Sequence, residues 1–189
     1  FAIVVWFLSY TIGIIMGGIL GYFGGKVDLI GLRMIEIWGS IPFMFMLMIL
    51  AIFIKPTIYI LATMYVFLTG WIGITWYIRG EFLREKSKDY VSAAVSMGQT
   101  KWKIMFKHIL PNALTPIVTF APFAIMGYIA TLVALDYLGF GLQPPTPSWG
   151  EMMNQGRTNL QHWHLIVAPL TSMGITLFLI TFIGEAVRE

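Results

Sequence analysis

The sequence predicts an all-α, polytopic membrane protein. Three observations carry this. Hydrophobic residues make up 58% of the 189 and charged residues only 11%, against about 25% charged in an average soluble domain. Uncharged stretches long enough to cross a bilayer recur along the chain, and the basic residues concentrate in one segment, Arg79 to Lys107. A soluble fold cannot hide that much apolar surface, whereas 15% aromatics and 12 Met suit a chain whose outer face meets lipid. The absence of Cys excludes disulfides, thiolate metal sites and cysteine nucleophiles. A net charge of +3 is too small for a nucleic-acid partner.

A hydrocarbon core of roughly 30 Å needs about 20 helical residues. Five stretches qualify: Phe1 to about Phe23; Leu29 to Ile54, with Arg33 and Glu36 in its first turns; Thr57 to Ile78; Ala113 to Leu135; and Leu165 to Gly184. The first begins within an apolar run without Met, lacks a basic n-region and is too long for a signal peptide. The chain is therefore expected to be truncated at its N-terminus. Seven of the 12 Lys and Arg (Arg79, Arg84, Lys86, Lys88, Lys101, Lys103 and Lys107) lie between the third and fourth spans. The positive-inside rule makes that loop cytoplasmic. Alternation then puts Lys26, Arg33 and Arg188 on the same side and Lys55 and Arg157 opposite, so 136–164 faces the exterior or periplasm.

Within the spans, Gly13, Gly17, Gly21 and Gly25 recur at steps of four along one helix side, a groove for a partner helix. Pro42, Pro116, Pro122 and Pro169 fall inside or near spans, where neighbouring helices satisfy freed carbonyls. Arg33 can pair with Glu36 three residues away.

The basic loop is rich in helix formers. Glu81, Glu85, Lys88 and Asp89 mark a solvated stretch; Ser92, Ala93, Ala94 and Val95 are small and weakly apolar; Gly98 breaks the helix. A second short amphipathic helix sets Trp102, Met105, Phe106 and Ile109 against Lys101, Lys103 and Lys107, closing at Leu110, Pro111 and Asn112. Two short helices with a Gly turn make a compact knob. Composition alone fits equally an interfacial helix on anionic membrane lipid. The excursion from Asp136 to His164 carries Gly139, Gly141, Gly150 and the cluster Pro144, Pro145 and Pro147, and loops of this length are usually functional or disordered. Trp149, Met152 and Met153 with Glu151 and Arg157 predict a short helix in an ordered lid. Asp136 could meet a ligand amino group or cap in water. His162 and His164, two apart, point to different sides of a helix and suit interfacial residues beside Trp163, and no metal is expected.

Residue order adds a resemblance. Ser92-Ala93-Ala94, then Gly98, then Ile109-Leu110-Pro111 resembles the cytoplasmic signature of binding-protein-dependent ABC importer permeases, in the spacing of the peptide branch. Gly21-Tyr22-Phe23-Gly24-Gly25-Lys26-Val27-Asp28, Leu135 to Leu142 and Pro144 to Gly150 resemble the C-type subunit of dipeptide and oligopeptide permeases. Ile183 to Arg188 looks most like the subgroup that imports oligopeptides and microcin C. The resemblance covers essentially the whole chain. It departs at Ser92, where the family motif often has Glu, so that carboxylate has no counterpart here.

The resemblance implies a type I ABC importer transmembrane domain over 1–189, moving peptides by alternating access. It implies a coupling-helix loop at 79–111 docked on a cytoplasmic ATPase through Ser92, Ala93, Ala94, Gly98, Ile109 and Pro111. Asp136, Gly139, Gly141, Pro145, Trp149, Glu151 and Arg157 would contact a binding protein or line the entrance. The implied partners are a second permease subunit, two ABC ATPase subunits that hold ATP and Mg, and an extracytoplasmic binding protein, at the bacterial cytoplasmic (inner) membrane. The chain has no G-x-x-x-x-G-K-[ST] phosphate loop, so no nucleotide, cofactor or covalent chemistry is expected of it. A dipeptide or nickel-type importer is the nearest alternative. An ion-coupled secondary transporter would normally place ionisable residues near the midplane, and these spans carry almost none. An intramembrane enzyme would need a clustered nucleophile and base, which the scattered His108, His162 and His164 do not supply.

Overall fold

A computed structural model describes residues 1–188, and among them all regular structure is helical. Among the described residues three helices are long and apolar enough to cross a membrane on their own, and up to five spans result if each of two broken pairs counts as one. The unbroken spans lie in α1 (Ala2–Phe23), α8 (Leu110–Tyr137) and α10 (His164–Arg188). The first pair, α2 (Gly25–Gly39) and α3 (Phe43–Phe53), is interrupted where Pro42 precedes α3 with extended backbone. Pro lacks an N–H and disfavours helix before it. The second pair, α4 (Ile58–Tyr65) and α5 (Ile72–Lys86), is joined by a wide π turn at Val66–Gly70. The side chains of Pro116 and Arg188, used in the span and orientation readings, lie outside the described residues.

The chain forms two compact units. In the first (Phe1–Trp6, Pro42–Leu68 and Thr119–Glu189), Leu47, Leu61, Leu135 and Leu142 make a buried cluster with Phe1, Phe43, Met64 and Leu132 packed against it. Tyr65 meets Phe43 and Tyr128 edge to face, centroids 4.8 and 5.4 Å apart. α9 (Trp149–Thr158) packs on α10, where Gly156 lets it approach Leu165 and Ile166. Beyond that contact α10 exposes Leu170, Ile175, Phe178, Leu179 and Phe182, an apolar surface of the kind found against lipid or another subunit.

In the second unit (Phe7–Ile41 and Thr69–Val118), the glycine stripe does what its spacing predicts at three of four positions. A Cβ on Gly17 would stand 2.5 Å from the Thr75 carbonyl oxygen and 2.8 Å from Ile78 Cβ, and one on Gly21 would press on Arg79 and Phe82. Gly13 faces Ile74 and Trp71 in the same way. Only hydrogen side chains allow α1 this close to α5. Gly25 departs from the expectation: a Cβ there would meet nothing within 4 Å and, with Gly24, it adopts positive φ (54° and 63°) to turn the chain from α1 into α2. Arg33 and Glu36 pair at 2.7 Å as their spacing predicts.

Candidate functional site: the knob and the clasped loop

The knob belongs to the second unit. After α5 ends at Lys86, the chain forms α6 (Asp89–Ser96), a turn at Gly98, and α7 (Lys101–Lys103). Gly98 (φ 70°) closes α6: its N–H donates to Val95 O and the Gln99 N–H to Ala94 O, at 2.9 and 3.2 Å. This is the αL helix ending that glycine allows without Cβ strain. Thr100 caps α7, its hydroxyl accepting from Lys103 N–H. The expected second short helix does not stop at Asn112. α7 runs through a wide turn, Ile104–Ile109, directly into α8, with the Leu110 N–H donating to Met105 O. Pro111 has no N–H to give, and the five-residue step widens the helix just before it, so the proline is carried inside a continuous rod.

Side chains divide accordingly. α6 turns Val91 and Ala94 inward and leaves Ser92, Ala93, Val95, Ser96 and Met97 exposed, the three-residue step of one helix face. Of the six residues assigned to docking, Ser92, Ala93, Gly98 and Pro111 are exposed. Ala94 and Ile109 are buried at 1% and 0% exposure, beneath the exposed face of the knob. Trp102 and Phe106 are exposed, stacked at 5.8 Å and 12°, while Met105 and Ile109 face the core, so the amphipathic face is split. Glu85, expected to be solvated, is buried and accepts from the Tyr90 hydroxyl at 2.8 Å. Burial first, then the bond to Glu85 and its charge, push the Tyr90 phenol up to about 12. It therefore stays protonated at physiological pH and remains a fixed donor. Asn112 closes the group through His108 O at 2.8 Å.

The sequence reading missed what the loop's basic residues do. Arg79 grips Asp28 with two bonds, Nε to Oδ1 at 2.5 Å and Nη2 to Oδ2 at 2.6 Å. Lys86 Nζ donates to Tyr22 O at 2.6 Å, and Lys101 Nζ stands 5.7 Å from the Phe23 ring centroid. The available signal was Asp28, the one acid in the glycine-rich corner after α1.

The second candidate region belongs to the first unit. Asp136 is not a capping group in water: it is 1% exposed, its Oδ1 accepting from Leu142 N–H at 2.7 Å. Gly139 (φ 81°) ends α8 as Gly98 ends α6, with Gly139 N–H on Asp136 O and Phe140 N–H on Leu135 O. The loop then folds back over the carboxylate. A Cβ on Gly141 would lie 2.7 Å from Asp136 Cγ, and one on Gly150 2.6 Å from its Cβ. Both glycines are buried, as a clasp requires, and Pro145, after a cis bond from Pro144, is exposed at the loop tip. The predicted short helix is α9. Ser148 Oγ accepts from Glu151 N–H at 3.1 Å in a cap legible as Ser-x-x-Glu. Half-buried Trp149 lines a cavity of about 660 Å³ with Phe1, Ile129, Leu132, Asp136 and Met152. Glu151 accepts from Gln155, and exposed Arg157 bonds Asn154 and stands over the Tyr137 ring at 5.9 Å. The His162 and His164 rings meet edge to face at 5.6 Å.

Residues 9–189 match the model of a known family, the binding-protein-dependent transport system inner membrane component. The chain belongs to this family. It is accordingly a multi-pass protein of the bacterial inner membrane. This inner membrane component is 44% identical over 96% of its length to the peptidoglycan transport system permease protein YejE of Agrobacterium fabrum, covering 47% of that protein. It is 41% identical over its whole length to the inner membrane ABC transporter permease protein YejE of Escherichia coli, covering 55%. It is 35% identical over 97% of its length to the oligopeptide transport system permease protein OppC of Haemophilus influenzae, covering 59%. The chain thus spans about half the length of these curated relatives. In fold it is similar to a chain of the MetNI methionine ABC transporter solved in inward-facing conformations, with TM-score 0.70, 20% identity, and coverage of 99% of this chain and 91% of that one.

Proposed function

We propose that the chain is the permease part of an ATP-driven importer that moves peptides or peptide-containing cargo across the inner membrane by alternating access. The family match over residues 9–189 carries this reading. Relatives named as permeases of peptidoglycan, oligopeptide and dipeptide transport systems support the cargo class. Two cytoplasmic ATPase subunits would supply energy with ATP and Mg, a second permease subunit would complete the pathway, and a binding protein would deliver cargo to the exterior side, where the clasped loop and α9 form the docking ledge.

In this reading the knob docks on an ATPase through Ser92, Ala93, Gly98 and the exposed Val95 and Met97, with Trp102 and Phe106 extending the surface. Distance favours a protein partner over a lipid surface. Trp102 precedes the apolar span that begins at Ala113 by about 11 residues, or about 16 Å along the helix, past a headgroup layer of about 5 to 8 Å. A stiff helix end that continues into a span passes rigid-body displacement from the partner into the membrane.

The test uses the intact protein co-expressed with its ATPase and binding-protein partners. The expected result is co-purification with a nucleotide-hydrolysing subunit and ATP-dependent peptide uptake into proteoliposomes. Gly98→Glu should abolish stimulated hydrolysis and uptake while membrane insertion continues. Uptake that persisted without ATP and followed a proton or sodium gradient would refute the proposal.

A further inference from the structure

We infer that the corner Tyr22–Asp28 is a clamp through which movement of the knob is passed to α1, with Asp28, Arg79 and Lys86 as positioning residues. The inference rests on the importer reading and concerns how force leaves the knob rather than how it arrives.

The contacts bracket α6 on both sides. Before it, the Arg79 guanidinium meets both oxygens of Asp28, 51 residues away in sequence, with side-chain exposures of 22% and 14%. Lys86, the last residue of α5, places Nζ on the Tyr22 carbonyl at 2.6 Å and 5.4 Å from the Tyr22 ring centroid. After α6, Lys101 faces the Phe23 ring. The Tyr22 carbonyl lies in the last turn of α1, where helix carbonyls lack intrahelical donors and the dipole favours a cation. It is free because Gly24 and Gly25, both at positive φ, turn the chain out of the helix.

The geometry goes beyond a structural staple. A bidentate Arg–carboxylate pair fixes orientation as well as distance, and here it joins α5, two turns before the knob, to the first turn of α2 just beyond the end of α1. Glycines at 24 and 25 make that point a compliant joint, with no Cβ contact to stiffen it. Above the joint, α1 is seated closely on α5 through Gly13, Gly17 and Gly21. Displacement of the knob is therefore delivered to α1 at its end and resisted along its length, the arrangement of a lever.

The experiment measures peptide uptake per ATP hydrolysed by the complete transporter in proteoliposomes, for wild type, Asp28→Asn, Lys86→Met and the charge swap Asp28→Arg with Arg79→Asp. In Asp28→Asn the ATPase should remain bound and hydrolysis continue, while uptake per ATP falls roughly tenfold, within the usual range of site-to-site coupling. The swap should recover part of the ratio. Lys86→Met leaves the ion pair intact and should lower the ratio less, which keeps the inference testable should Asp28→Asn fold poorly. A wild-type ratio in both single variants overturns the clamp, as does parallel loss of hydrolysis and uptake in every variant. Failure of the importer reading would show differently, as wild-type protein with no ATP-driven uptake.

Discussion

Gly98 and Gly141 are both constrained, for different reasons, and substitution separates them. At Gly98 the surroundings are open but φ is +70°, so any Cβ meets backbone strain of about 1 to 2 kcal/mol. Gly98→Ala should speed amide exchange across α6 and α7 while leaving α8 protected, and Gly98→Asn should do so less, since Asn tolerates αL. At Gly141 the obstacle is the Asp136 side chain and backbone, and Gly141→Ala should cost about 1 to 3 kcal/mol as overpacking does. Limited proteolysis should then cut 138–148 faster in the variant than in wild type. Tyr90→Phe removes the donor from buried Glu85, leaving the carboxylate short of a partner at a cost of about 1 to 3 kcal/mol. A fall in the thermal midpoint of the detergent-solubilised protein would register it.

Helices meet here through choices visible at single positions. Gly17→Ala should lower the thermal midpoint sharply, because its methyl would stand 2.5 Å from the Thr75 carbonyl. Gly73→Ala, a glycine in α5 with nothing near the added Cβ, should leave it unchanged or slightly raised, since Ala is the better helix former. Equal effects at both sites would mean the glycine stripe does not seat α1. The wide turn before Pro111 carries a related lesson. From sequence, Pro111 reads as the end of a helix. A proline penalises regular α-helix, and a neighbouring helix widened by one residue per turn evades the penalty.

On the scale of the whole molecule, sidedness is the consequence that experiment reaches most directly. The chain has no Cys, so single cysteines report without background. With the orientation proposed above, Val95→Cys should react with an impermeant maleimide only from the cytoplasmic side and Leu160→Cys only from the exterior; both positions are exposed. Labelling of both from one face would contradict the proposed topology. The helical membrane class, the three unbroken spans within a few residues, the Gly98 turn and the Arg33–Glu36 pair were all legible in sequence. Each depends on local chemistry: hydropathy over one helix length, a missing Cβ, a side chain three or four positions away. Only tertiary structure decided that Ala94, Ile109 and Glu85 are buried, that Asp136 clasps its own loop, that Arg79 grips the first turn of α2 and that Lys86 grips the end of α1. Composition shows that a residue is charged or small. Whether it faces water, a neighbouring helix or a partner depends on which distant segment packs against it, and only the folded chain fixes that.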